Sequence, residues 1–175
     1  MELALTLPKY FLILSDSEER VAIVEPRVLD YFRTFIDSLY RGEWFYHPKW
    51  AKPLKVCRSH RHAVLLTSVG FYGAGAAKFG ALGKRDRDVL VVNWSEYSYD
   101  SLFTRKEIKS IFVGPYQTFV ALYDGSLMMC GYSTITRTYE FVKVSLSHRP
   151  SSVYPPQEIT HTLSYKGWSL YVWSQ

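Results

Sequence analysis

From residue 62 onward the chain alternates short apolar runs with glycine, proline and polar turns: HAVLLT, GFYGAG, VLVVNW, IKSIFV, TFVALY, SLMMCG, YEFVKVSL, THTLS and WSLYVW. Runs of this length, rich in β-branched and aromatic residues and closed by turn signals, predict strands. Near the N-terminus, FLILS (11–15) and RVAIV (20–24) flank the polar DSEE and predict a hairpin. PRVLDYFRTFIDSLYRG has a different period. Its Val28, Leu29, Phe32, Phe35, Ile36 and Leu39 fall at helical spacing, with Pro26 suited to the first turn and Gly42 to the position past the end. Residues 43–61, with two prolines, aromatic clusters and scattered basic side chains, predict a connecting segment across a surface, and SHRPSSVYPPQE (147–158) predicts a loop. The pattern divides the chain into a hairpin and helix (1–42), a connector (43–61) and a β-repeat region (62–175). Regular short strands suit a sandwich, a barrel or propeller blades.

The stretch HAVLLTSVGFYGAGAAKFGALG (62–83) is dense in glycine, at positions 70, 73, 75, 80 and 83. A dinucleotide loop would need G-x-G-x-x-G opening a helix, but Lys78 occupies the third glycine position. A Walker-type loop fails as well, because Ala81 stands where the lysine belongs. After Gly83 the chain runs into KRDRD and another apolar run rather than a helical period, so these glycines lie between strands and no nucleotide cofactor is expected.

A repeat emerges when HAVLLTSVG (62–70), QTFVALYDG (117–125) and ITHTLSYKG (159–167) are set in register. Each gives a strand, a polar turn and a glycine, and each runs into a second strand, FYGAG, SLMMCG or WSLYVW. The predicted repeat glycines are Gly70, Gly75, Gly80, Gly83, Gly114, Gly125, Gly131 and Gly167. GAAKFGALG (75–83) resembles the G-x-N-x-x-G-x-L-G segment of the regulator of chromosome condensation repeat at Gly75, Gly80, Leu82 and Gly83. VGPYQTFVALYDGSLMMCG is similar to the earlier part of that repeat through Gly114, Ala121, Leu122, Asp124, Gly125 and Gly131. In these segments Ala77 replaces the family's asparagine and Cys130 its tryptophan, while Trp173 keeps the tryptophan position in the third copy.

The resemblance implies propeller-like antiparallel blades or hairpins, which with the helical period at 26–42 gives a mainly β fold with one N-terminal helix. The chain supplies about three blades, whereas closure takes roughly four to eight, so the ring is expected to be incomplete. Another all-β sandwich or barrel is the alternative. The family's guanine-nucleotide exchange would need a complete ring and a wedge loop that this sequence lacks. Open blade edges invite strand pairing, which favours a protein partner, a larger assembly or a homo-oligomer.

A formal net charge of +5 brings acidic partners into view, nucleic acid among them. Lys49, Lys52, Lys55, Arg58 and Arg61 form one basic group, Lys84, Arg85 and Arg87 a second, and Arg105, Lys106 and Lys109 a third. Trp50, Tyr97, Tyr99 and Phe103 lie between them and could stack on bases. Asp86, Asp88 and Asp100 partly neutralise these groups, so solvated loop charges are the plainer reading.

Catalytic chemistry is poorly represented. No G-x-S-x-G elbow occurs, and the carboxylates sit in turn-like contexts. Cys57, His60 and His62 form C-x-x-H-x-H, three ligands without the fourth that a structural zinc requires, so no metal is expected. Two isolated cysteines and the absence of a basic leader with a cleavage site point to a cytoplasmic or nuclear protein, neither secreted nor membrane-bound. The sequence thus predicts a noncatalytic interaction or assembly module, with a basic nucleic-acid-associated or packaging protein as the alternative.

Overall fold

The computed structural model describes residues 9–16, 24–36, 42–76, 80–83, 90–91, 98–99, 101–132, 137–144 and 153–174. Among the described residues the fold is mainly β with one α-helix, and its strands form three four-stranded sheets. The chain divides into two compact units, residues 1–52 with 157–175, and residues 53–156.

The second unit contains two antiparallel meanders. One is β3 (Pro53–Arg58), β4 (His62–Thr67), β5 (Phe71–Ala76) and β6 (Leu90–Val91); the other is β7 (Ile108–Val113), β8 (Gln117–Leu122), β9 (Leu127–Tyr132) and β10 (Arg137–Val144). They repeat one design at a spacing of 55 residues, since Pro53 and Ile108 start the first strands and His62 and Gln117 the second. The pairing register repeats as well: Pro53 faces Thr67 as Ile108 faces Leu122, and both pairs are followed by a bulge, before Lys55 and before Ser110. The repeat unit therefore begins nine residues earlier than the sequence alignment, which started at His62.

Between the sheets lies a continuous apolar core of Cys57, Val64, Leu66, Phe71, Tyr99, Phe103, Ile108, Ile111, Val113 and Val120. Each such aliphatic or aromatic side chain taken fully out of water contributes about 1.5–3 kcal/mol. Phe141 of β10 lies edge-on to Phe103 at 5.2 Å and to Tyr99 at 5.5 Å, extending the core beneath the turn at residues 80–83.

Two expectations are corrected here. Residues 43–61 are not a bare connector: they carry β2 (Gly42–Trp50) and β3. Proline at the first position of β3 is compatible with a strand, because a missing N–H is tolerated there. The three predicted hairpins are also not copies of one turn. Thr67 Oγ1 organises the first by accepting the Val69 and Gly70 N–H groups at 3.2 and 3.1 Å. The second is one residue longer, with Gly125 at φ +91° and Asp124 Oδ1 accepting the Ser126 N–H at 2.7 Å. In the third, Lys166 at φ +48° and Gly167 at φ +83° form a two-residue turn between Tyr165 and Trp168, the conformation that suits tightly twisted hairpins.

The first unit joins both chain regions in one sheet, ordered β11 (Glu158–Tyr165), β12 (Trp168–Ser174), β1 (Lys9–Ser15) and β2. β1 pairs antiparallel with β12 and parallel with β2. Both of its edges are thus occupied; of the segment 20–24, predicted to form a hairpin with it, only Val24 is among the described residues. Helix α1 (Pro26–Ile36) starts at the predicted proline, with the Val28 and Leu29 N–H groups bonded to the Glu25 carbonyl. Val28 and Phe32 are buried, whereas Phe35, expected on the same stripe, is 48% exposed. The predicted end at residues 37–41 lies outside the described residues.

Candidate interaction surface

The turns at 59–61 and 114–116 occupy equivalent places in the two meanders, each joining the first strand to the second. Arg61 and Tyr116 are the matching residues, and the Arg61 guanidinium lies over the Tyr116 ring, 5.9 Å from its centroid. His60 is exposed and edge-on to Tyr154 at 5.5 Å. Arg61, His60 and the 40%-exposed Tyr132 give this end a basic and aromatic surface.

Beneath it, glycine is required by geometry. Gly75 has φ +101° and faces His62; Gly131 has φ +108° and faces Gln117. A Cβ on Gly75 would lie 2.5 Å from the Arg61 carbonyl oxygen, and one on Gly131 only 2.0 Å from that of Tyr116. The next N–H groups, of Ala76 and Tyr132, bond to those same oxygens at 2.7 and 3.1 Å. One backbone crossing is built twice, so Gly75 matches Gly131 rather than any glycine at the 55-residue spacing.

Gly80 and Gly83 also serve the packing. Their α-carbons abut the Thr138–Tyr139 backbone and the Phe141 ring. The turn presents the Ala81 carbonyl to Thr118 Oγ1 at 2.5 Å and to the Cys130 thiol at 3.5 Å, and the Leu82 carbonyl to the Tyr99 hydroxyl at 2.6 Å. Those carbonyls and the close backbone give the segment a scaffold role. Of the remaining predicted glycines, Gly70, Gly125 and Gly167 lie in the three hairpin turns and Gly114 in the β7–β8 turn.

The residues of the C-x-x-H-x-H segment do not converge on one point. Cys57 donates its thiol toward the Ile111 carbonyl at 3.6 Å, and burial pushes that thiol up to about 11. His60 faces Tyr154, while His62 is fully buried and bonded to Ser59 and Thr118. No group of three metal-binding side chains occurs among the described residues. Burial also raises the Cys130 thiol, and both cysteines are free.

The predicted basic residues separate into two ends. Arg58, paired opposite Ala63, is buried with Nε donating to the Ser59 carbonyl at 3.3 Å. Lys55, paired opposite Leu66 near the other end of β4, is half-buried with Nζ donating to Ser110 Oγ at 2.9 Å, and Arg105 bridges that same end, giving Nε to the Thr67 carbonyl at 2.9 Å and Nη1 to the Ile108 carbonyl at 3.0 Å. The six residues of β4 separate these ends by about 17 Å. Lys52 and Lys106 are exposed; Lys84, Arg85 and Arg87 lie outside the described residues. Arg58, Lys55 and Arg105 are therefore engaged with the fold itself. Arg105→Ala is expected to lower stability by about 1–2 kcal/mol, because two carbonyls lose a charged donor; urea unfolding of R105A and R105K measures it, and an unchanged midpoint in R105A refutes the bridge.

Sequence reasoning missed Thr118 and Ser59. Thr118 sits one place after the repeat start in QTFVALYDG, where the first copy has Ala63, and this departure from the repeat was the available signal.

No helix among the described residues is long and apolar enough to cross a membrane. No family model and no curated protein matches the chain. Solved structures do, in 26 chains. One is the crystal structure of human WBSCR16, similar at TM-score 0.46 and 16% identity over 56% of this chain and 27% of that one. The chain therefore spans about a quarter of the length of that structure.

Proposed function

We propose that this chain is a noncatalytic protein-interaction or assembly module built on diverged propeller-type blades of the kind found in the regulator of chromosome condensation family. The observation that carries this reading is the pair of four-stranded antiparallel meanders with one register and one spacing, packed through a shared core. Two such meanders and one mixed sheet among the described residues are fewer than the roughly four to eight blades that close a propeller. Unpaired outer strands then need a covering surface or charged side chains. On β10 the exposed Glu140 and Lys143 supply charge, which disfavours indiscriminate pairing and suits a specific partner.

Light scattering across a concentration series tests this reading. A self-associating species, or a complex recovered with a purified candidate partner, is the expected outcome. A monomer at every concentration that also binds no protein rejects it. A parallel salt series on DNA and RNA columns addresses the basic nucleic-acid reading. The hydrogen bonds that engage Lys55, Arg58 and Arg105 within the fold predict a shallow salt slope, whereas a slope of several phosphate contacts would favour the nucleic-acid function instead.

A further inference from the structure

His62 is fully buried at the seam between the two meanders, and its bonds dictate the protonation of its ring. Nε2 lies 3.2 Å from the Gln117 carbonyl oxygen, which can only accept, so Nε2 carries a hydrogen. Thr118 Oγ1, 3.0 Å from the same nitrogen, gives its own hydrogen to the Ala81 carbonyl and therefore accepts from the ring. On the opposite side, Ser59 Oγ is 2.7 Å from Nδ1. That oxygen already accepts the backbone N–H groups of Arg61 and His62, both at 3.2 Å. Its hydrogen has the His62 carbonyl at 3.4 Å and Nδ1 at the much shorter 2.7 Å, so Nδ1 accepts it. A proton on Nδ1 would meet an oxygen with both lone pairs in use.

Among the described residues the elements around the ring offer an imidazolium no counter-charge. The titratable or charged groups on the elements packed around it are Lys55, Cys57 and Arg58 of β3, His60 and Arg61 of the following turn, Tyr72 of β5, Tyr116 of the β7–β8 turn and Cys130 and Tyr132 of β9. None is a carboxylate. On β10, Glu140 and Lys143 are exposed, and the described turn at 80–83 carries no ionisable side chain.

We propose that His62 is an acid-released clasp, whose protonation frees β8 and the 80–83 turn from β4 and parts the two meanders at this seam while each keeps its own strands. Burial pushes the imidazole down to about 4, against about 6.5 when exposed. Protons are therefore taken up by the opened form. The clasp holds fully above pH about 6.5, and its contribution is lost as the pH falls from there toward 4. Between pH 7 and pH 5 the opening equilibrium should rise about twentyfold.

Hydrogen exchange at the two pH values, corrected for intrinsic rates, tests the clasp in the wild-type chain. Peptides spanning 59–62, 80–83 and 116–118 should lose protection about twentyfold, while the β8–β9 ladder around Val120 and Met128 stays protected. Imidazole NMR should show the neutral Nε2–H form of His62 still present at pH 5.5. Uniform loss of protection, unchanged protection, or a ring that titrates near 6.5 with the seam intact each overturns the proposal. His62→Gln should abolish the pH dependence of exchange at the seam, and persistence of that dependence in a folded H62Q also overturns it.

Discussion

Gly131→Ala is expected to destabilise the chain by about 4 kcal/mol, whereas Gly125→Ala, six residues earlier on the same hairpin, should cost about 1 kcal/mol. Both glycines have positive φ, +108° and +91°, so backbone conformation alone does not separate them. Space does. A Cβ at position 131 would sit 2.0 Å from the Tyr116 carbonyl oxygen and 2.9 Å from the Gln117 α-carbon, while at 125 nothing lies within 4 Å. The obstructing atoms at 131 are backbone, and the oxygen is the acceptor of the Tyr132 N–H, so relief requires breaking that bond and shifting β8 against β9. Gly75→Ala repeats the experiment in the other meander, against the Arg61 oxygen at 2.5 Å. Urea unfolding of the three variants at pH 7 decides the matter: equal losses for G131A and G125A would mean that the crossing yields readily and is not what demands glycine.

This pair of glycines also shows where sequence reading stops. The 55-residue spacing was legible because β4 and β8 are apolar runs of equal length, and it correctly set His62 against Gln117. Gly75 and Gly131 lie 56 apart, since the β8–β9 turn has one more residue, and alignment on the turn glycines hides the match. The first strand of each repeat was legible once. IKSIFV reads as a strand, but PLKVCR carries a lysine and an arginine that suggest solvent. In the fold Lys55 reaches Ser110, its own counterpart in the other meander, and buried Arg58 caps the Ser59 carbonyl. Long basic side chains can line a packed strand when their heads find acceptors, and no local pattern announces that they do. The fate of β1 was hidden for another reason: hairpin logic weighs neighbours in sequence, yet the strands that flank β1 are β12 and β2.

Phe32→Ala should cost about 4 kcal/mol, and Phe35→Ala less than about 1 kcal/mol, although helical spacing alone assigned both to one buried stripe. Phe32 has no exposure and packs with Ile13, Val24, Val28, Trp168, Leu170 and Val172, covering the sheet formed by the two chain regions. Its ring is edge-on to Tyr165 at 6.2 Å and to Tyr31 at 5.8 Å, while Tyr31 stacks on Tyr165 at 3.8 Å. Removing it leaves a cavity among side chains held by β1 and β12, strands too constrained by their paired neighbours to collapse into the space. It also removes the edge contacts that seat the Tyr31–Tyr165 stack, worth about 0.5–1.5 kcal/mol for an aromatic pair. Phe35 is half exposed, so its truncation returns little apolar surface to water. Thermal and urea unfolding of F32A and F35A measure the difference. A loss in F32A no larger than in F35A would show that α1 is dispensable to the sheet it covers, and a large loss in F32A alone would place the centre of this core one helical turn before Phe35.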